Sequence, residues 1–262
     1  MLSFDLLNHY RHLSQAVFTV VDVETTGIYP IKSRVIELSV LQASLTDGVI
    51  TQRTSLINPG VIVPPPITRF TGISQAMVDT APPSAEVFPA YLPSVQRGTL
   101  TAHNLEFDYA FLQSEFQQLD IEFERSEDER LCTVQLARLM LPELRSRSLP
   151  NLVQHFNFSV GASHRAEADT QACWLLAERL LTEIVNESDE ELLQRFAQQW
   201  LPLKYAARLM GYRPSVARSH LQSAGAEGRL VGQGKSKTWM FRRGDVERVI
   251  LEQRGDQQLS WF

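Results

Sequence analysis

The chain has 262 residues, 44% of them hydrophobic, and a net charge of −5. That composition excludes a low-complexity or disordered protein and gives room for one large domain, or a medium domain with a small one. Two distant cysteines, Cys132 and Cys173, exclude a disulfide scaffold, and no apolar run can span a bilayer, so the expectation is a cytoplasmic protein with no membrane partner.

The charge is unevenly distributed. Residues 1–200 hold 14 Lys+Arg against 25 Asp+Glu, whereas residues 201–262 hold 11 against 5, a net +6. A basic segment attracts polyanions, and an acidic body does not. The change follows the polar stretch Asn186–Glu191, which places an expected boundary between domains 1–188 and 189–262.

In chain order, Val17–Gly27 begins as an apolar strand and ends in Asp22-Val-Glu24-Thr25-Thr26-Gly27. Residues two apart share a face of a strand, so both carboxylates point the same way while Val21 and Val23 line the opposite face. Buried like charges are costly unless a cation joins them. Acids exposed in a loop just past the strand end are the ordinary alternative.

Val35–Ala43 and Val49–Ile57 read as a hairpin around Thr46-Asp47-Gly48, and Pro64-Pro65-Pro66 predicts an extended loop. The spacing predicts helical structure over Ser74–Val95, a short strand at Thr99–Ala102 and a helix over Phe107–Leu119. Asp120–Arg130 reads as a solvated loop. Helices follow over Leu131–Leu141, Leu149–Phe156 and Glu167–Val185. Strands first, then helices with one further strand, indicate an α/β fold with a mixed sheet.

Two of these helices carry an acid at the head of an apolar stripe. Asp108 precedes Phe111, Leu112, Phe116 and Leu119, and Asp169 precedes Ala172, Cys173, Leu176 and Leu180. An acid complementing the helix dipole is the common reading of either one alone. His164, five residues before Asp169, falls on the loop entering its helix, and a lone histidine is more often structural. Taken together, four carboxylates and a histidine suit two hard cations about 3.5–4 Å apart acting on phosphates. The absence of a Cys/His cluster disfavours zinc.

From Leu201 the pattern is a helix, a Gly-containing turn at Gly211, and a second helix over Val216–Ala224 with Ser215 as its expected N-cap. Leu230-Val231, the turn Gly232–Lys237 and Trp239–Phe241 follow, then a helix over Val246–Leu251 capped by Asp245.

Asp22-Val-Glu24-Thr-Thr-Gly27, His103-Asn104-x-x-Phe107-Asp108 and His164-x-x-x-x-Asp169 resemble, in order and spacing, the three motifs of the DEDDh 3′→5′ exonucleases, and within them the epsilon-type proofreading domains of DNA polymerase III. Phe70–Ser74, Thr133–Arg138 and Ser148–Leu152 are similar to intervening family segments. The resemblance covers about residues 15–185. It implies an RNase H-like fold with a five-stranded mixed sheet, two Mg²⁺ or Mn²⁺ ions, and release of nucleoside monophosphates from a 3′ end. It also implies that Asp22, Glu24, Asp108 and Asp169 hold the metals and that His164 is the general base. Thr25, Thr26 and Gly27 would meet the terminal nucleotide. His103 and Asn104 would either lie near that pocket or brace the loop between strand and helix. Cys132 stands where many epsilon domains carry Asp, at a position that is not a metal ligand in the family.

The C-terminal module is similar to the winged helix-turn-helix of the MerR and excisionase families, with Arg213, Arg218, Lys235 and Lys237 as candidate nucleic-acid contacts. The ordinary alternative is a small helical cap that binds protein or packs on the nuclease. The expected partners are a single-stranded 3′ end, duplex DNA through this module, and a DNA polymerase. A 3′-trimming exoribonuclease and a DNA-binding regulator with an inert exonuclease fold are the alternative functions.

Overall fold

A computed structural model describes residues 1–161, 164–234 and 237–259. It divides into two compact units, one of residues 12–136 and 146–182, the other of residues 1–11, 137–145 and 183–262. The sequence boundary at 188/189 therefore lies beyond the structural one at 182/183, and the C-terminal unit also takes in two earlier segments.

The chain begins with helix α1 (Ser3–Leu13), then strands β1 (Phe18–Thr25), β2 (Val35–Ser44) and β3 (Gly48–Leu56). Helices α2 (Pro65–Thr71), α3 (Gln75–Asp79) and α4 (Ser84–Val95) lead to β4 (Thr99–Ala102), α5 (Leu105–Gln117) and β5 (Arg130–Cys132). Helices α6 (Thr133–Met140), α7 (Leu149–Phe156) and α8 (Ala166–Asn186) complete this stretch.

The larger unit is built on a five-stranded sheet of order β3-β2-β1-β4-β5. β1 lies at its centre, antiparallel to β2 and parallel to β4. Helices cover both faces of β1, so Phe18, Val20, Val21 and Val23 are all buried. Val21 and Val23 pack with Phe88 and Tyr91 of α4 and Phe111, Leu112 and Phe116 of α5. On the opposite face the ring of Phe18 meets Trp174 of α8 at 5.7 Å. Asp22 and Glu24 belong to this second face, and they stand where β1 bends at a register shift between Glu24 and Thr25.

The structure departs from the sequence reading at several elements. Arg130–Cys132 is a strand, parallel to β4, rather than a loop end and helix start; three residues are too few to show a period. Pro64–Pro66 does not stay extended, because Pro65 opens α2, where its missing N–H is not needed. The helical stretch 74–95 is two helices, interrupted before Ser84. Arg125, in the segment expected to be solvated, is buried, and its guanidinium donates to the carbonyls of Val95 at 2.8 Å and Gly98.

The smaller unit contains α9 (Asp189–Ala197), β6 (Trp200–Pro202), α10 (Leu203–Met210), α11 (Pro214–Ser223), β7 (Gly228–Val231), β8 (Thr238–Arg242) and α12 (Arg243–Leu259). Ser188 caps α9 through a bond from the Glu191 amide. The strands form an antiparallel sheet of order β6-β8-β7. Its core joins Leu201 and Phe241 to Ala206, Leu221, Val246, Val249 and Ile250. Gly211 ends α10 in the left-handed region at φ 74°, which favours glycine and turns the chain into α11. Arg213, not Ser215, occupies the N-cap of α11, since Pro214 is already helical. Asp245 likewise lies in the first turn of α12 rather than before it. The N-terminus is tied to this unit by Ser3, whose amide and hydroxyl donate to Glu247 at 2.8 and 2.9 Å. No helix among the described residues is long and apolar enough to cross a membrane.

Candidate active site

Oxygens of Asp22, Glu24 and Asp169 lie within 4.8 Å of one another. Strand periodicity aims the first two at the face where α8 starts, and the buried stripe Ala172, Cys173, Leu176 and Leu180 rotates Asp169 toward them. Asp108 reaches the same place from the first turn of α5. Its Oδ1 accepts from the Val23 amide at 3.2 Å, between the two acids of β1. The four acids thus converge from three elements.

Their environment favours the uncharged forms when no cation is near. Burial, then the charges of Asp108, Asp169, Glu24 and Glu37, raises the Asp22 carboxyl well above its ordinary value. Burial, aided by Asp169 and Glu37, pushes Glu24 up to about 8. Asp108 is also pushed up to about 8, by burial that outweighs its bond from the Val23 amide. Asp169 is raised by burial, partly offset by the amide of His164, which donates to its Oδ2 at 3.0 Å.

A fifth carboxylate, which the motifs did not reveal, stands opposite Glu24. Glu37 on β2 pairs in register with Glu24 and is fully enclosed. It accepts from the Arg165 guanidinium at 2.6 and 3.1 Å and from the Ala166 amide at 2.9 Å. This clamp ties the start of α8 to the sheet. A lone glutamate inside the apolar run Val35-Ile-Glu-Leu was its visible signal in the sequence. His164, next to Arg165, has left-handed backbone at φ 65°. Its ring lies 4.0 Å from that of Phe70, centroid to centroid.

The Thr-Thr-Gly turn is closed by its own hydroxyls. Thr25 Oγ1 donates to the Gly27 carbonyl at 2.7 Å, and Thr26 Oγ1 accepts from the Arg34 amide at 2.9 Å. A Cβ on Gly27 would come within 2.8 Å of Ser33 Oγ, so a side chain there would have to displace that hydroxyl. Arg34 is held by both carboxylate oxygens of enclosed Glu115, at 2.9 and 2.8 Å.

The two readings of His103 and Asn104 separate. His103 braces the loop: its Nε2 donates to the Arg147 carbonyl at 2.9 Å, leaving Nδ1 to accept from the Thr133 hydroxyl at 2.9 Å. Burial lowers its pKa to about 4, in keeping with that neutral ring. Asn104 adopts left-handed backbone at φ 76° before α5, is exposed, and makes no capping bond with its side chain.

The candidates in the C-terminal unit differ in their surroundings. Arg213 and Lys237 are exposed. Arg218 turns back, with its guanidinium 4.2 Å over the ring of Trp239. Lys235 lies outside the described residues.

The sequence profile of the family described as Exonuclease (RNase_T) matches residues 19–176, a span that contains all four acids and His164. The chain belongs to this exonuclease family. Among relatives, the PolC-type DNA polymerase III of Oceanobacillus iheyensis is 34% identical over 181 residues, covering 67% of this chain and 12% of that polymerase. The DNA polymerase III subunit epsilon of Aquifex aeolicus is 33% identical over 159 residues, covering 60% of this chain and 77% of the subunit. This exonuclease-family chain therefore spans only a small part of the PolC-type relatives and most of the epsilon subunit. Among solved structures, exonuclease I of E. coli in complex with a dA16 oligonucleotide is similar with a TM-score of 0.57 and 18% identity, over 69% of this chain and 42% of that one. The nuclease domain of 3′hExo, a DEDDh family member bound to rAMP, is similar with a TM-score of 0.56 and 17% identity, over 64% and 92%. At such identities the likeness is one of fold, and it accords with the five-stranded mixed sheet.

Proposed function

We propose that the protein is a divalent-metal-dependent 3′→5′ exonuclease that releases nucleoside monophosphates from single-stranded DNA. The convergence of Asp22, Glu24 and Asp169, with Asp108 bonded between the first two, carries this reading. The donor set fits the ions the family implies. All four ligands are oxygens, which suit Mg²⁺ or Mn²⁺. They are crowded acids whose pKa values are raised by burial and by one another's charges, and the nearby Arg165 is engaged with Glu37. Asp22, Glu24, Asp108 and Asp169 would hold two ions. Such ions, when bound, supply charge stabilisation at the phosphoryl oxygens and make water more acidic.

The chain's own groups do the rest. His164, anchored through its amide to Asp169, takes the proton of the attacking water, a task suited to an imidazole. The closed turn Thr25–Gly27, next to Glu24, forms a rigid wall for the 3′ nucleotide, and the free amide of Asn104 lines the approach. His103 serves by holding the loop of Asn104 in place. In the C-terminal unit, α10 and α11 across the Gly211 turn, followed by the β7–β8 hairpin, support a winged helix-turn-helix reading. Its net +6 favours a polyanionic partner. On this reading it keeps the nuclease near duplex DNA, with Arg213 and Lys237 on phosphates and Arg218 bracing the hairpin through Trp239. Similarity to polymerase sequences supports association with a DNA polymerase in the cytoplasm.

With Mg²⁺, the full chain is expected to shorten a 5′-labelled single strand to mononucleotides, and both EDTA and Asp22→Ala are expected to abolish this. Hydrolysis that survives both would refute the assignment. The neighbour bound to rAMP gives RNA a claim as substrate. DNA and RNA oligonucleotides competing in one reaction would decide between them.

A further inference from the structure

Helix α2 ends with an aromatic side chain that has no place in the core. Ile67 of this helix packs with Ile36, Val63, Ile73 and Val78, and Gly72 closes the helix in left-handed backbone at φ 76°. These contacts fix α2 and leave Phe70 outside, 59% exposed. Its ring meets the imidazole of His164 at 4.0 Å with an interplanar angle of 35°. That contact is closer than the other aromatic pairs of the described residues, which span 4.7–6.4 Å.

We propose that Phe70 is a positioning residue that holds the His164 ring in the orientation from which it takes a proton. The inference rests on His164 being the base. Its amide is fixed by Asp169, yet two side-chain bonds remain free to turn the imidazole. A flat face laid against the ring restrains both rotations and leaves the nitrogens at the ring edge open. His103 shows the opposite arrangement, with both nitrogens spent on hydrogen bonds, which suits a brace and not a base. Aromatic rings attract when laid against one another, and the 35° inclination places the ring of Phe70 largely against the face of the imidazole. Because Phe70 contributes little to the core, its loss should leave folding intact.

The test uses the full chain carrying Phe70→Leu, which keeps apolar bulk without the flat face, and Phe70→Tyr, which keeps the face. On single-stranded DNA with saturating Mg²⁺, Phe70→Leu is expected to lower kcat about tenfold with KM within about twofold, since misplacing a catalytic group costs rate more than binding. Phe70→Tyr is expected to restore kcat, and both variants should melt with the wild type. In metal-free protein with labelled histidine, the ring protons of His164, assigned by loss of signal in His164→Gln, should move downfield in Phe70→Leu as shielding by the neighbouring ring disappears. Full kcat in Phe70→Leu, a raised KM alone, or unmoved His164 resonances would each overturn the role of Phe70. A raised KM alone would instead make Phe70 a surface for a nucleobase. A wild-type chain that hydrolyses nothing would overturn the exonuclease reading itself, whereas active wild type with fully active Phe70→Leu overturns only this inference.

Discussion

Glu37 and Arg165 illustrate how a buried charge is kept near a site already rich in like charges. Glu37 exposes 1% of its side chain and depends on Arg165 and the Ala166 amide, while Arg165 remains 43% exposed. The two ends of the pair are therefore unequal. Removing the guanidinium strands an enclosed carboxylate beside Glu24, whereas neutralising Glu37 leaves an arginine that water can still solvate. Arg165→Ala is expected to cost about 3 kcal/mol of stability and Glu37→Gln about 2 kcal/mol, the full buried-pair penalty being moderated by exposure. Denaturant melts of both variants check the order; a larger loss in Glu37→Gln would contradict it. Glu37→Gln should also weaken Mn²⁺ binding in calorimetry, because Arg165, released from its partner, becomes a cation competing for the acids. At this scale the sequence disclosed the chemistry through recurring motifs. It disclosed less of the support, since a partner such as Arg165 for Glu37 is defined only by a fold that joins residues 128 positions apart.

At the scale of elements, Gly98 governs how β4 enters the sheet. Its φ is +57°, and a Cβ there would lie 2.0 Å from the carbonyl oxygen of Val17, just before β1. That oxygen already accepts from the Thr99 amide at 2.8 Å, so neither strand can yield without breaking the parallel pairing of β1 and β4. Gly98→Ala is expected to destabilise the protein by at least about 2 kcal/mol, from the left-handed backbone and the clash together. Thermal melting gives the check, and an unchanged midpoint would refute the account. The elements that were legible in the sequence share one property. β1 and β2 are buried on both faces and show as apolar runs, while α5 and α8 bury one face, so their apolar period is visible and turns Asp108 and Asp169 inward. β5 and β6, three residues each, carry no period, and α2 was hidden behind prolines that look like a loop until one of them is seen to open a helix.

Across the whole molecule, the acid cluster couples stability to pH and to metal. Glu24 and Asp108 have ordinary values of 4.5 and 3.8 but titrate near 8 in the folded, metal-free chain. Between those limits the folded state keeps protons that the unfolded state has shed. Their stabilising contribution is complete below the unfolded values and is lost as pH rises through 8. His103 acts in the opposite sense, because its folded value near 4 lies below the ordinary 6.5. The unfolded chain gains a proton there as pH falls, so His103 destabilises only below about 6.5, in line with the general linkage of proton binding to folding. Above pH 7 that contribution is absent and the carboxylates dominate. In EDTA, Tm is therefore expected to fall between pH 7 and 8.5. Ions bind the ionised carboxylates and displace the same protons, so Mn²⁺ should raise Tm, and by more at pH 8.5 than at pH 7. Asp22→Asn removes one ligand and one like charge together; it should flatten the EDTA profile and largely abolish the Mn²⁺ response. Scanning calorimetry across this window, with and without the metal, measures both slopes. A wild-type Tm that rises with pH in EDTA would show that the fold does not hold these acids protonated, and a Mn²⁺ shift independent of pH would show that the four acids do not share a cation.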